Sequence, residues 1–207
     1  MTMILLARHG ETDWNREGRW QGQSDRSLDD AGREQARLLG AHLAGVGIDL
    51  LYSSDLARAR ETAAAVEAAT GLEAVVDPAL REVDVGGLVG CSREEVEARD
   101  PAWFRIWRDG GVMGYPDGET YLELHRRSVD AFERILDAAD GRTAAVVCHG
   151  GNIRAITSEI VGLGPDDRWR ISAVANCSIT AFERNRGRVA LVTFNETGHL
   201  NAAPRRS

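Results

Sequence analysis

Short runs of apolar residues alternate along this chain with longer segments whose apolar positions recur with the period of an α-helix. Each short run ends abruptly at polar or glycine residues, which is typical of a strand buried inside a sheet. We predict strands at residues 3–7, 49–53, 73–76 and 143–148, and a terminal hairpin formed by residues 177–183 and 188–194.

The longer segments predict helices, and two of them have recognisable ends. Asp29 can cap a helix that runs to about Leu43, because a short polar side chain can accept a hydrogen bond from the first helical turn. Ser54 or Asp55 can cap the alanine-rich helix that follows the second strand. Gly71 is placed to end that helix, since glycine readily adopts the left-handed conformation of a helix C-cap.

Further helices follow in the second half of the chain. Ser92 and Glu95 match a capping box, and Pro101 suits the first turn of another short helix. The remaining predictions are helices at 119–139 and 153–161, a loop at 11–27 and a frayed tail at 201–207. The alternation of strands and helices predicts an α/β fold, a three-layer helix–sheet–helix sandwich around a mostly parallel sheet. We expect residues 1–207 to form a single domain.

Composition narrows the possible partners of this chain. The formal net charge is -7, so we expect no non-specific binding to nucleic acid. All 25 basic residues are arginine, so an anion site must use arginine, histidine or backbone N–H groups. We expect a cytoplasmic protein that does not insert into a membrane, because no apolar run approaches the ~18 residues of a span and the N-terminus lacks a signal-peptide pattern. The three widely spaced cysteines indicate neither a disulfide framework nor a zinc site.

Residues able to carry chemistry follow four of the predicted strands. The carboxyl ends of parallel strands meet at one edge of an open α/β sheet, and ligands bind there. Side chains after different strands can therefore converge on one pocket although they are distant in sequence. The candidates in chain order are Arg8, His9, Arg58, Glu82 and His149.

An ordered set of short motifs surrounds these candidates, and the set resembles the histidine phosphatase, or phosphoglycerate mutase-like, superfamily over nearly the whole chain. Its members here are Arg8-His9-Gly10-Glu11-Thr12 with Trp14-Asn15, Gln21-Gly22, Ser54-Asp55-Leu56 with Arg58-Ala59 and Thr62-Ala63, Glu82 with Gly86, Pro116-Asp117-Gly118-Glu119, and His149-Gly150.

The resemblance implies a role for each matching residue. It implies that His9 accepts the phosphoryl group, that Arg8, Arg58 and His149 hold that group, and that Glu82 is the proton donor. It also implies substrate contacts from Asn15, Gln21, Gly22 and the backbone N–H of Gly150.

The same roles agree with the chemistry of phosphoryl transfer, which spreads negative charge over three equatorial oxygens. Arg8 and Arg58 offer forked donors and His149 adds another; preorganised donors of this kind contribute roughly 3–4 kcal/mol each in comparable sites. His9 must attack as a neutral imidazole, so one ring nitrogen should donate to a carbonyl while the other faces phosphorus. Because the arginines neutralise the phosphate, we expect no metal and no cofactor.

Several nearby residues have a structural interpretation as well as a functional one. Cys148 could be a nucleophile, but its position in a strand favours the core. Asp84 and Glu119 compete with Glu82 for the role of acid, and Arg60 competes with Arg58 for the phosphate. The remaining histidines, His42, His125 and His199, match no metal spacing.

A segment at residues 92–120 is predicted to form a cap over the site. Its aromatic and apolar residues suit core packing and a wall around the leaving group equally well, namely Trp103, Phe104, Trp107, Met113 and Tyr115.

The sequence favours a metal-independent phosphatase that hydrolyses a small organic phosphomonoester through a phosphohistidine. A cofactor-dependent phosphoglycerate mutase is the alternative, although mutases of this superfamily usually carry longer insertions and the stretch after Glu82 is closer to the phosphatase branch. A third possibility is a catalytically silent protein that only binds phosphorylated ligands. We expect a small phosphorylated metabolite as the partner and either a monomer or a homodimer.

Overall fold

A six-stranded sheet forms the centre of the molecule. The computed structural model describes residues 1–111 and 114–201; Met113 and residues 202–207 of the expected frayed tail thus lie outside the described residues. The strands are β1 (Thr2–Arg8), β2 (Leu50–Ser53), β3 (Val75–Val76), β4 (Thr143–Cys148), β5 (Ile179–Asn185) and β6 (Arg188–Glu196). Their spatial order is β3-β2-β4-β1-β5-β6. The first four of these are parallel and the terminal hairpin is antiparallel, so the mostly parallel sheet is confirmed.

Helices cover both faces of this sheet. They are α1 (Asp13–Arg16), α2 (Asp30–Val46), α3 (Ala57–Thr70), α4 (Arg93–Arg99), α5 (Pro101–Arg108), α6 (Tyr121–Ala138) and α7 (Gly150–Ile160). Short 3₁₀ turns lie at Pro78–Leu80, Gly86–Leu88, Pro165–Arg170 and Gly198–Asn201. Among the described residues, no helix is both long enough and apolar enough to cross a bilayer.

Alternate side chains of the buried strands point to opposite faces, which produces the three layers. Leu5 and Ala7 of β1 pack with α2 and α3, whereas Ile4 and Leu6 pack with α6 and α7. All four side chains are buried. Such a continuous apolar run is expected of a strand covered on both faces. The helix–sheet–helix sandwich predicted from the sequence is therefore confirmed.

The elements differ from the sequence predictions mainly at their ends. The stretch 11–27 is not wholly loop, because Thr12 caps the short helix α1. Neither Ser54 nor Asp55 is the N-cap of α3: the helix begins after Leu56, and the Ala57 N–H donates to the Asp25 carboxylate at 2.7 Å. A carboxylate from a separate loop thus replaces the expected local cap.

The other boundaries lie closer to the predictions. Gly71 ends α3 in the left-handed conformation, and the capping box of Ser92 and Glu95 is present. Strand β3 has two residues only, and α7 begins at Gly150, three residues before its predicted start.

Neighbouring strands end at the same level. Arg8 of β1 pairs with Cys148 of β4, and the next N–H, of His9, donates to the Cys148 carbonyl at 3.0 Å. On the other side of β4, the Ser54 N–H donates to the Val147 carbonyl at 2.9 Å. The residues that follow β1, β2 and β4 therefore meet at one edge of the sheet.

Candidate active site

His9 lies at the centre of this edge and is 2% exposed. Its Nδ1 lies 2.7 Å from the carbonyl oxygen of Gly10, so Nδ1 carries the proton and donates to that carbonyl. The Nε2 atom then has a lone pair, towards which the Arg58 Nε–H donates at 3.3 Å. Burial, reinforced by the Arg58 and Arg8 guanidinium groups, holds the pKa of His9 well below its ordinary value. The ring is therefore neutral at pH 7, the state required of a nucleophile.

Arg58 lies beside the imidazole, lines the same cavity and is 1% exposed. One terminal nitrogen donates to the Ser24 carbonyl at 2.8 Å and the other donates to the Gly22 carbonyl at 2.8 Å. Burial lowers the pKa of Arg58 to about 10, so the guanidinium remains charged at neutral pH. A buried cation with a fixed direction suits an anionic group placed next to His9.

Arg8 approaches the site from the end of β1. One terminal nitrogen donates to the Val174 carbonyl at 2.5 Å, which fixes the direction of the side chain. Its buried Nε has no hydrogen-bond partner among the described residues. A buried donor without a partner is destabilising by about 1–3 kcal/mol, and a phosphoryl oxygen would relieve that penalty.

His149 is brought beside His9 by the parallel pairing of β1 with β4. The two ring centroids are 5.1 Å apart and the planes are tilted by 56°. Its Nε2 lies 2.9 Å from the Ser54 hydroxyl oxygen, which fixes the rotation of the ring. Burial and the nearby Arg58 lower the pKa of His149 well below the ordinary value. His149 is fully buried and lies behind His9 rather than among the residues that line the cavity.

Glu82 faces the site from the segment that follows β3. One carboxylate oxygen accepts the Val83 N–H at 2.8 Å, and the other accepts the Gly151 N–H at 3.1 Å. The second bond places the carboxylate at the N-terminus of α7, where a negative charge is favoured. Glu82 lines the cavity together with Arg8 and His9.

The backbone around Glu82 is held by Arg127 of α6, a residue that no motif marks in the sequence. Arg127 donates to the Arg81 carbonyl at 2.5 Å and to the Glu82 carbonyl at 2.9 Å. The same guanidinium forms two hydrogen bonds to the Glu119 carboxylate, of 2.7 and 2.8 Å. Arg127 therefore acts on the site by fixing the main chain from which the Glu82 side chain extends.

The two competing carboxylates face away from His9. Glu119 is occupied by Arg127 and also accepts the Asp84 N–H at 3.2 Å. Asp84 accepts the Gly86 N–H at 2.9 Å. Both residues line a separate surface depression near Asp117. The tertiary structure thus places Glu82 alone of the three beside His9.

The residues that the resemblance assigns to substrate contacts surround the same cavity. Asn15, Gln21 and Gly22 all line it. Asn15 is held by the Thr12 N–H, which donates to its Oδ1 at 3.1 Å. Gly22 has φ +51°, and a Cβ there would lie 2.7 Å from Val85, so glycine is required at this turn. Gly150 instead lines the neighbouring cavity, which shares Arg8 and Glu82.

Aromatic residues form the outer side of the site. Trp107 and Tyr115 line the cavity, and the Trp20 ring packs on Trp107 with centroids 4.8 Å apart. Trp103 and Phe104 pack behind them. Within the segment 92–120, Trp107 and Tyr115 therefore line the cavity, whereas Trp103 and Phe104 pack behind them.

The other candidates have structural surroundings. Cys148 is fully buried in the core against α6 and α7, and burial raises the pKa of its thiol. Arg60 pairs with Glu67 at 3.1 Å. His42 stacks on His199, and His125 lies 3.4 Å from Glu159. Among the side chains that the structure describes, no three of His, Cys, Asp or Glu are grouped so as to hold a metal ion.

Taken together, a neutral imidazole with a directed lone pair, two guanidinium groups and a carboxylate converge on one cavity at the carboxyl edge of an α/β sheet. This set of groups can hold a phosphoryl group, attack it and move a proton.

Comparison with known proteins agrees with this class of site. The profile of the histidine phosphatase superfamily (branch 1) matches residues 4–197. The chain is 35% identical to the probable phosphoglycerate mutase GpmB of Erwinia tasmaniensis, over 87% of this chain and 84% of that protein. The chain belongs to the histidine phosphatase superfamily and is an enzyme of that superfamily.

Solved structures share both the fold and part of the sequence. Bacillus stearothermophilus YhfR superposes with a TM-score of 0.91 at 29% identity, over 97% of this chain and all of that one. A mycobacterial glucosyl-3-phosphoglycerate phosphatase, solved with VO3, superposes with a TM-score of 0.85 at 30% identity, over 94% and 99%. The relatives thus include both phosphatases and proteins named as mutases.

Proposed function

We propose that this protein is a metal-independent phosphatase that hydrolyses a small organic phosphomonoester through a phosphohistidine at His9. The observation that carries the proposal is the state of His9: a buried, neutral imidazole whose Nδ1–H is bound to Gly10 and whose Nε2 faces the cavity cations. An imidazole held in one tautomer by a carbonyl keeps the lone pair on its other nitrogen, and attack requires only that Nε2 exchange the long 3.3 Å hydrogen bond from Arg58 for the phosphorus atom.

In the first step, the Nε2 lone pair of His9 attacks phosphorus and the bond from phosphorus to the ester oxygen breaks. In the structure both Glu82 oxygens accept backbone N–H groups; in the proposed step the protonated form of Glu82 gives up one of these bonds and transfers its proton to the departing oxygen, so the leaving group departs as a neutral alcohol. The Nδ1 proton of His9 stays in its hydrogen bond to Gly10. The phosphorylated ring is a cation, and it is bonded to a group whose oxygens are negatively charged, so the two charges attract.

In the second step, a water molecule attacks the phosphohistidine from the side that the alcohol has left. The Glu82 carboxylate accepts a proton from this water, the bond between Nε2 and phosphorus breaks, and inorganic phosphate is released. His9 returns to its neutral state and Glu82 to its protonated state, so protons and charge balance over the cycle.

Arg8 and Arg58, which line the cavity, stabilise the negative charge in both steps. In His149 the atom left for a phosphoryl oxygen is the buried Nδ1, which has no hydrogen-bond partner among the described residues, because Nε2 contacts Ser54. Arg8 has a free buried donor, and Arg58 is already directed towards Nε2. Asn15 and Gln21 line the same cavity, and in this proposal their side chains also contact the substrate. Donors that are fixed before the substrate arrives need no reorganisation during the reaction.

Trapping the covalent intermediate tests the proposal. Rapid-quench labelling with a ³²P-phosphomonoester should give an acid-labile, base-stable adduct on His9. His9→Ala should lose both label and turnover. His42→Ala is the matched control, because His42 is an exposed histidine of α2, and this variant should label as the wild type does. Wild-type turnover in His9→Ala, or label on another residue, would contradict the mechanism.

A phosphoglycerate mutase is the second candidate, because the curated relatives carry that name. Val83 and Val85, which follow Glu82 and line the cavity, belong to the stretch that is closer to the phosphatase branch. The two functions are separated by incubating the protein with 3-phosphoglycerate and the corresponding bisphosphate cofactor. Release of inorganic phosphate supports the phosphatase, and conversion to the 2-phosphate isomer without release supports the mutase.

We further propose that residues 92–120 act as a cap within a single domain and that the protein works in the cytoplasm on a small phosphorylated metabolite. Trp107 and Tyr115 of this segment line the cavity, which supports the cap. The free thiols of Cys91, Cys148 and Cys177 suit a reducing compartment. Sedimentation of the purified protein would decide between a monomer and a homodimer.

A further inference from the structure

The segment that precedes β5, residues 173–178, is hydrogen-bonded to the main chain at the end of β1. The Val174 carbonyl accepts a hydrogen bond from the Arg8 side chain, and the Cys177 N–H donates to the Arg8 carbonyl at 3.0 Å. Asn176 lies between these two residues and is half-buried. Its side chain is therefore held close to the residues that begin the active site.

The amide of Asn176 connects two residues of that site. Its Nδ2 donates to the His9 carbonyl at 2.9 Å and to the Asn15 Oδ1 at 3.3 Å. An amide nitrogen carries two hydrogens, so it can serve both acceptors at once. His9 and Asn15 line the cavity, whereas Asn176 is not among its described lining residues. Any effect of Asn176 on the reaction therefore passes through its two partners.

The orientation of the Asn15 amide decides whether Asn15 can help to bind a phosphoryl group. A phosphoryl oxygen accepts hydrogen bonds, so it is attracted by the Nδ2–H groups of an amide and repelled by its Oδ1. The two ends of an amide are nearly equal in size, so hydrogen bonds rather than packing choose between them. Here Oδ1 accepts the Thr12 N–H at 3.1 Å as well as the Asn176 amide. These donors occupy Oδ1 and leave Nδ2 as the end of the amide for a ligand.

The main chain around Asn176 is fixed before any ligand binds. Cys177 has φ +52°, in the left-handed region that residues other than glycine rarely occupy. Asn195 of β6 accepts the Ala175 N–H at 2.7 Å and donates to the Ala173 carbonyl at 3.3 Å. A strained conformation persists only where the surrounding contacts determine it, and such residues often lie at functional sites.

We propose that Asn176 is a positioning residue, which locks the Asn15 amide with its Nδ2–H directed at the transferring phosphoryl group. The effect passes mainly through Asn15, because the Cys177 N–H also donates to the His9 carbonyl, at 3.3 Å, and remains when the Asn176 side chain is removed. This inference rests on the proposed phosphatase function and adds to it a residue that does not touch the substrate.

A double-mutant cycle between Asn15 and Asn176 tests the proposal, with 4-nitrophenyl phosphate as the substrate. Asn15→Ala should reduce kcat/KM by about 10²-fold, as for loss of one preorganised donor. Asn176→Ala should reduce kcat/KM by about fivefold to tenfold, as for loss of one hydrogen bond. The double variant should equal Asn15→Ala within about twofold, because two residues that act through one contact are not additive. Inhibition by orthovanadate, a mimic of the transferring phosphoryl group, should weaken in the same pattern.

Ser178→Ala is the matched control. Ser178 is buried in the same segment, and its hydroxyl donates to the Ala175 carbonyl at 2.8 Å. This variant also removes one hydrogen bond from the segment, but that bond does not involve Asn15. It therefore reports the effect of a purely structural loss, and its kcat/KM and vanadate inhibition should stay near those of the wild type.

The outcomes separate this inference from the proposed function. If the wild type is labelled at His9 and turns over, but Asn176→Ala has the same kinetics as Ser178→Ala, the proposal is overturned and the phosphatase stands. If Asn176→Ala lowers kcat/KM as much in the Asn15→Ala background as in the wild type, Asn176 acts independently of Asn15 and the proposal is also overturned. A wild type with neither turnover nor label at His9 overturns both.

A second substitution covers the case in which Asn176→Ala does not fold, as judged by its thermal melt. Asn176→Ser then takes its place in the cycle, because the shorter hydroxyl cannot reach both acceptors, and the same results support or overturn the proposal. If neither variant folds, the role of Asn176 is structural and the proposal is overturned.

Discussion

The carboxylate of Glu82 lies directly against the backbone of Gly151. One oxygen accepts the Gly151 N–H at 3.1 Å, and the other occupies the space that a Cβ on residue 151 would need. The neighbouring Gly150 differs, because a Cβ there would make only ordinary contacts, 3.8 Å from Arg8 Nε. Of the two successive glycines at the start of α7, Gly151 has no room for a Cβ, whereas Gly150 does.

Substitution of the two glycines tests this contact. In Gly151→Ala the methyl group should displace the Glu82 carboxylate and reduce kcat by about 10²-fold, the lower range for loss of a general acid. In Gly150→Ala the loss should be far smaller. Because the new Cβ at residue 151 would also lie 3.1 Å from Leu124 Cδ2, thermal melts of both variants are needed to separate a loss of stability from the loss of the acid. Steady-state kinetics with similar losses in both variants would contradict the arrangement.

Glu82 should be needed most where the leaving group is most basic. Glu82→Gln should reduce hydrolysis of an alkyl phosphate by about 10²–10⁴-fold and should spare much of the transfer from a nitrophenyl phosphate to His9. Asp84→Asn is the matched control, because Asp84 faces a different depression. If Glu82→Gln loses the same activity on both substrates, Glu82 is not the acid. If Asp84→Asn instead loses more activity on the alkyl phosphate than on the nitrophenyl phosphate, Asp84 is the acid.

The Ser54 hydroxyl should matter through His149. Ser54→Ala removes the 2.9 Å contact that fixes the His149 ring, and we expect kcat/KM to fall roughly fivefold to tenfold, as for loss of one hydrogen bond. Ser53→Ala is the control, because the Ser53 hydroxyl, equally buried, donates to the Ser54 carbonyl and does not reach His149. The role is disproved if both alanine variants have the same kinetics.

Activity should not depend on a divalent ion. The guanidinium groups of Arg8 and Arg58 already provide positive charge at the cavity. Turnover should survive exhaustive dialysis against EDTA, with kcat within about twofold of the starting value. The expectation fails if chelation abolishes turnover and one particular divalent ion restores it.

Stability should decrease in mild acid because of the two buried histidines. Burial and nearby cations hold the pKa values of His9 and His149 well below 6.5 in the folded chain. Below about pH 6.5 the unfolded chain binds protons that the folded chain does not, so the free energy of unfolding falls as the pH falls.

Urea unfolding between pH 7 and pH 5 measures this effect. We expect each of the two histidines to contribute a decrease of up to about 1.4 kcal/mol per pH unit. His9→Asn removes one titrating group and should have a smaller pH dependence than the wild type. An unchanged dependence in that variant would show that His9 is not kept neutral by folding.

Much of the framework of the site was determined by local sequence. Apolar runs predicted where the strands end: Arg8 is the last residue of β1, and His9 and His149 directly follow β1 and β4. Once the sheet is parallel, its geometry brings these residues together. The capping box of Ser92 was also predictable from local sequence, because its two partners are three residues apart.

Contacts between distant segments were decided only by the tertiary structure. Ser54 is a plausible helix cap in sequence, yet its hydroxyl contacts His149, 95 residues away. The sequence also left Glu82, Asp84 and Glu119 as possible acids, and Arg127 of α6 distinguishes them by binding Glu119 and holding the Glu82 backbone. Hydrophobic periodicity and capping report interactions within a few residues, whereas the orientation of a carboxylate depends on which buried donor meets it when the layers pack.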